Sequence, residues 1–239
     1  MTKMKATRSH FLALAVALAG LGGLGAGQAA AEDVALTREA QGAITPARAL
    51  SMLKEGNERF VGGAMVHRNL LAQVKQTSKG QFPFAAIVSC LDSRIPPEMV
   101  FDQGIGDIFV GRVAGNFVND DLLGSLEFAT KLAGAKLIVV MGHTECGAVK
   151  GACDDAQLGL LSGTLSNIYP AVNAVEGNYT SRSSKNAKFV QAVAEMNVQL
   201  AMKNIRTRSV VLRRMIDGNE IALVGAMYDV STGKVRFYE

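Results

Sequence analysis

The sequence predicts an α/β fold, a mainly parallel sheet with helices on both faces and an N-terminal helical arm ahead of the first strand. Three observations lead there. Four β-rich apolar runs, at residues 84–90, 107–112, 136–141 and 221–228, are separated by helix-forming stretches. The first run is continuously apolar, as a strand buried on both faces must be. The runs at 84–90 and 136–141 both stop at polar segments, Ser89-Cys90-Leu91-Asp92-Ser93-Arg94 and Gly142-His143-Thr144-Glu145-Cys146-Gly147. Open α/β sheets place ligand sites at the carboxyl ends of strands, where these segments lie.

In chain order, residues 1–31 read as a secretory signal peptide. Lys3, Lys5 and Arg8 precede an apolar run over residues 11–26, and Ala29-Ala30-Ala31 offers small residues for cleavage before Glu32. Residues 32–44 show no period and read as a flexible lead-in. Thr45-Pro46 opens an amphipathic helix as N-cap and first helical residue, and Gly62-Gly63 closes it. A second helix is expected over residues 70–78. These two helices suit either covering their own sheet or reaching a neighbouring subunit. Past the first strand, Ile95-Pro96-Pro97 forces a turn, with one helical turn over 98–101. Asn119 or Asp120 caps a helix running to Leu132, with Gly134 beyond its end. Cys146 begins a helix to about residue 154. Further helices are expected over 162–175 and 187–213, and Thr232-Gly233 turns the fourth strand into a short final one at 234–238. Residues 45–239 then form a single domain.

At 239 residues the chain has ample material for one sizeable core. The formal charge of +4 is misleading, because residues 1–31 hold three basic residues and no acid, leaving +1 for the rest. That balance gives no argument for a nucleic-acid or anionic-surface binder, and no later stretch is long enough to span a bilayer. The mature chain is expected to be exported without stable membrane insertion, into the periplasm of a bacterium with two membranes.

The two polar segments carry the chemistry. Cys90, His143 and Cys146 make a thiolate–imidazole–thiolate set, the donor type that Zn²⁺ prefers. Three protein ligands leave a fourth tetrahedral position open, the arrangement of a catalytic zinc. Asp92 stands two residues beyond Cys90, within reach of the metal or of water on it, and Arg94 can hold that carboxylate through a bidentate pair. In an oxidising compartment a Cys90–Cys146 disulfide is the plain alternative. The carboxylate and arginine beside one cysteine, and the histidine three residues before the other, favour zinc. Cys153 reads as a small buried residue, His67 as a solvated loop residue and Glu145 as a surface charge.

Cys90-x-Asp92-Ser93-Arg94 paired with His143-x-x-Cys146-Gly147 resembles the β-class carbonic anhydrases, over roughly residues 45–239. The resemblance implies reversible hydration of CO₂ to bicarbonate and a proton, with one Zn²⁺ per subunit on Cys90, His143 and Cys146. It implies a four-stranded parallel core with an added antiparallel C-terminal strand, and a homo-oligomer, dimer or tetramer. Asp92 and Arg94 match a catalytic dyad that orients zinc-bound hydroxide or, in a closed state, lets Asp92 ligate the metal. Gln81 matches a substrate-orienting amide that often reaches a neighbouring subunit's site. Phe109 matches an aromatic lining the apolar pocket, and Gly147 falls with them at the substrate. Phe128 departs from the tyrosine many members carry. Arg112 resembles a bicarbonate-gated subgroup, yet Ile87 stands where that subgroup has tryptophan, so gating of that kind is not expected. Two thiolates neutralise the metal's charge, so activity is expected to rise toward alkaline pH. The motifs also fit a CS₂ or carbonyl sulfide hydrolase on the same scaffold, and a zinc-binding protein without turnover.

Overall fold

The structure, a computed structural model, describes residues 34–238. The segment read as a signal peptide, residues 1–31, therefore lies outside the described residues. Five strands form one sheet in the spatial order β2-β1-β3-β4-β5: β1 Ala85–Cys90, β2 Ile108–Val113, β3 Leu137–His143, β4 Ala222–Tyr228 and β5 Val235–Phe237. The first four run parallel and β5 is antiparallel to β4. Every residue of β1 and β3 is buried, which their unbroken apolar runs require. The expected fold class is thus the observed one.

The helical arm consists of α1 Arg38–Ala43, α2 Pro46–Val61 and α3 Leu70–Thr77. Thr45 caps α2 by accepting from Arg48 N at 3.1 Å, with Pro46 at the first helical position. This helix lies on its own chain. Leu53 is fully buried, and Asn57 donates to Val100 O at 3.0 Å and Gly233 O at 2.9 Å while accepting from Val235 N at 2.8 Å. By contrast α3 leaves Leu70 and Leu71 exposed. A further anchor is fully buried Asp102, which pairs with Arg59 at 2.5 Å and with Arg68 and accepts from Val66 N.

Four expectations need correction. Residues 38–43 of the supposed lead-in are helical, capped by Thr37, and Gln41 Nε2 donates to Pro83 O and Ala133 O, both at 2.7 Å. Six residues are too few to display a period. The helix over 119–132 is α5 Asp120–Glu127 continued by a π-helical segment, Phe128–Leu132. The stretch 162–175 is two helices, α7 Gly159–Ser166 and α8 Tyr169–Ala174. The last long helix breaks at Ser209 into α9 Ala187–Arg208 and α10 Val210–Asp217, because Ser209 accepts from Leu212 N and so caps α10. The short helices α4 Pro97–Val100 and α6 Gly147–Cys153 stand where expected. No described helix is long and apolar enough to cross a membrane.

Candidate metal centre

Strands β1 and β3 are neighbours, with Ser89 opposite Met141, so Cys90 and His143 emerge side by side at the carboxyl edge. The turn after β3 brings in the third ligand. Thr144 N donates to Tyr228 O at 2.9 Å, Thr144 Oγ1 accepts from Val230 N at 3.1 Å, and Glu145 takes a left-handed φ of 57°. Cys146 then occupies the N-cap of α6. Its sulfur thus meets the exposed amides and positive dipole end of a helix, surroundings that favour a thiolate.

Cys90 Sγ, Cys146 Sγ and one His143 ring nitrogen all lie within 4.8 Å of one another and are buried. The sulfurs are 4.0 Å apart and all three cysteines are free, so no disulfide joins them. Two Zn–S bonds of about 2.3 Å at a tetrahedral angle place sulfurs roughly 3.8 Å apart, close to what is seen. His143 supplies the second test of fit. Nδ1 lies 2.9 Å from Thr144 O, a carbonyl that only accepts, so Nδ1 carries the proton. Nε2 then offers a lone pair, and it is buried without a hydrogen-bond partner. An orphaned imidazole nitrogen facing two sulfurs fits a metal ligand. The Cys90 thiol is pushed down to about 4, chiefly by hydrogen bonding with Cys146 and against the cost of burial. Cys146 is pushed up, first by that same sharing of a proton and then by burial, which outweigh the lowering effect of the Ala148 and Val149 amides of α6.

Asp92 stands at the mouth. Arg94 Nε donates to Oδ1 at 2.9 Å and Nη2 to Oδ2 at 2.8 Å, with Arg94 N adding a bond at 3.0 Å. These bonds hold the Asp92 carboxyl well below the usual range despite partial burial. Its Oδ2 is 3.9 Å from His143 Nε2. The metal-ready set contains Cys90, His143 and Cys146 without Asp92. With Arg94 engaging both of its carboxylate oxygens, Asp92 takes the first of the two arrangements expected of it, beside the ligand set rather than within it.

Gly147 begins α6 beside Cys146 and is exposed. Gln81 and Phe109 do not join the centre of their own chain. Gln81 is exposed ahead of β1, at the end opposite Cys90, and β1 alone spans roughly 17 Å. Phe109 pairs in register with Ala86, near that same far end, and its ring meets Phe128 edge-on at 6.1 Å. Of the remaining cysteine and histidine readings, Cys153 is half-buried, with burial pushing its thiol up to about 11, and His67 is exposed. Glu145 pairs with Lys150 at the surface.

Two contributors, Gly115 and Asn197, were not recognised from the sequence, and Arg112 was singled out there without the role it takes here. Gly115 N donates to Cys90 Sγ at 3.3 Å, and Gly115 O accepts from buried Asn197 Nδ2 at 2.6 Å. Arg112 donates from Nε to Cys90 O at 2.9 Å and from Nη2 to Asp92 O at 2.6 Å, clamping the backbone that presents ligand and dyad. The polar Asn197 on an apolar helical stripe was the one available signal for it.

Comparison with known proteins agrees with this geometry. A family model described as carbonic anhydrase matches residues 85–235. Carbonic anhydrase 2 of Mycobacterium tuberculosis is 35% identical over 195 residues, covering 79% of this chain and 91% of that protein. Carbonic anhydrase of Mycolicibacterium smegmatis is 34% identical, covering 80% and 92%. Among solved structures, the β-carbonic anhydrase CafA of Aspergillus fumigatus superposes with a TM-score of 0.61 at 25% identity, covering 81% of this chain and 90% of its own. With a zinc-compatible Cys-His-Cys centre at the carboxyl edge of the matching sheet, the chain belongs to the β-class carbonic anhydrases.

Proposed function

We propose that this chain hydrates CO₂ reversibly at a zinc held by Cys90, His143 and Cys146, and that Asp92 and Arg94 form its orienting dyad. The observation that carries this reading is the orphaned His143 Nε2 among two sulfurs, with an arginine-held carboxylate 3.9 Å away. Zinc bound there lowers the pKa of a water and presents it as a nucleophile. The chain's own groups do the rest. Asp92, kept ionised by Arg94, accepts a hydrogen bond and so turns a lone pair of the nucleophile toward CO₂. Arg94 keeps the carboxylate off the metal, and Arg112 fixes the carbonyls on either side of Leu91.

Gln81 and Phe109 complete the site from a second copy. Each lies far from Cys90 within one chain, and β2 is an open sheet edge flanked by exposed Met99 and Phe128. An apolar edge of that kind calls for a covering partner. A homodimer is thus the minimal working unit; the Sordaria macrospora relatives of this fold are described as tetrameric. Export to the periplasm follows from the leader reading, and N-terminal sequencing of the mature protein tests it.

Stopped-flow CO₂ hydration by the purified protein, before and after zinc removal, is the deciding experiment. Turnover should vanish with the metal, return with zinc and rise toward alkaline pH. Absence of turnover by zinc-loaded protein across that range, with CS₂ hydrolysed instead, would move the assignment to a sulfur-substrate hydrolase.

A further inference from the structure

We propose that Asn197 is a positioning residue for the metal centre: by gripping the carbonyl of Gly115 it holds that residue's N–H donor on the Cys90 sulfur and so limits the charge that sulfur passes to the metal. The proposal rests on the zinc reading above. Helix α9 buries one stripe, Phe189, Val190, Val193, Ala194, Val198, Ala201 and Ile205, and Asn197 sits within it at 2% exposure. An amide there costs free energy unless it is hydrogen-bonded, and an aliphatic side chain would suit the stripe better. Its Nδ2 goes to Gly115 O at 2.6 Å, linking positions 82 residues apart.

The same glycine turns its N–H to Cys90 Sγ at 3.3 Å. Gly115 adopts φ 94°, and a Cβ at this position would lie 2.4 Å from Ile168 Cδ1. The residue is thus wedged against α8's N-terminal flank while Asn197 grips its carbonyl. With φ and the carbonyl direction both held, the direction of its N–H is held too. A donor on a thiolate draws negative charge away from the sulfur–metal bond, and partners of the ligands tune a metal in this way. Two thiolates otherwise cancel the charge of Zn²⁺, so a donor on one of them restores part of the ion's acidity. Asn57 is the internal contrast. It is buried and bonded to backbone carbonyls as Asn197 is, but between α2 and the chain near β5, away from the centre.

The test replaces zinc with cobalt(II) and reads the thiolate-to-cobalt charge-transfer band. Asn197→Ala and Asn197→Ser should move the band to longer wavelength and shift the pH midpoint of CO₂ hydration upward, whereas Asn57→Ala should leave both at wild-type values. Equal band positions in wild type and the Asn197 variants would overturn the proposal, as would an equal shift in Asn57→Ala. A second measurement needs no variant. Wild-type protein loaded with cadmium-113 should show through-bond coupling to the Gly115 amide proton, reduced at least twofold in whichever Asn197 variant folds. No coupling in wild type would also overturn it. Wild-type protein that shows band and coupling but no CO₂ hydration would refute the hydration reading and leave the role of Asn197 standing.

Discussion

Replacing Gly115 with alanine tests whether the loop after β2 is as tightly determined as its contacts require. The new methyl would lie 2.4 Å from Ile168 Cδ1, 3.2 Å from Ile168 Cγ1 and 3.4 Å from Ala148 Cβ. Carbon atoms pack at about 3.5–4.0 Å, so the first contact overlaps by more than 1 Å. Ile168 is fully buried and cannot swing into solvent. Overpacking of this kind costs about 1–3 kcal/mol, and a left-handed φ adds about 1–2 kcal/mol for a residue with a Cβ. The sum, about 2–5 kcal/mol, is a large part of a typical domain's stability. Urea unfolding of metal-free protein measures it without interference from zinc binding. Gly124→Ala and Gly163→Ala provide the controls, since both positions are helical and a Cβ at either meets nothing within 4 Å. They should stabilise the fold by about 0.5–1 kcal/mol. A loss below about 1 kcal/mol in Gly115→Ala would refute the reasoning, because it would mean that the Ile168 side of the pocket yields freely.

Arg94→Ala should lower CO₂ hydration by about 10–100-fold, the usual cost of losing a partner that orients metal-site groups. The absorption spectrum of the cobalt form should change as the freed Asp92 approaches the metal; unchanged activity would remove Arg94 from the dyad. Mixing Gln81→Ala chains with Cys90→Ser chains should restore roughly a quarter of wild-type activity through random pairing in a two-fold dimer. Activity no higher than the average of the two separate variants would show that Gln81 serves no partner's site. For Asp102, burial raises the carboxyl pKa, but Arg59, Arg68 and Val66 N–H outweigh it and the net direction is down. A lowered folded-state pKa stabilises the protein fully above about 3.9, and that contribution is lost as pH falls from there toward the folded value. Asp102→Asn should therefore cost about 3–5 kcal/mol at neutral pH and flatten the acid limb of stability; an unchanged acid limb would refute this.

The α/β alternation, the strand ends and the ligand triad were legible because each is local: an apolar run, then a donor. Thr45, Asn119 and Thr232-Gly233 marked their boundaries through capping and turn chemistry that acts over three or four residues. The break at Ser209 was hidden because both flanking stretches are helical and a serine is tolerated inside a helix. Helix α1 was hidden by its brevity. The Asn197–Gly115–Cys90 relay could not be read at all, since it joins three elements whose proximity only the fold creates. The predicted strands already set Gln81 ahead of β1 and Phe109 near the start of β2, away from Cys90, but no pattern along one chain states which surface covers them.

The three ligands also tie the chain to itself. Cys90 and Cys146 are 56 residues apart and sit on different elements, with His143 on a third. A bound ion is therefore a removable staple across the centre of the sheet. Any species that binds only the folded form raises stability by RT ln(1 + [L]/Kd), about 2.7 kcal/mol at a hundredfold excess over Kd. Without it, two sulfurs and an imidazole are left buried at a strand edge with less to hold them together. Metal supply then sets part of the folded chain's stability as well as its turnover.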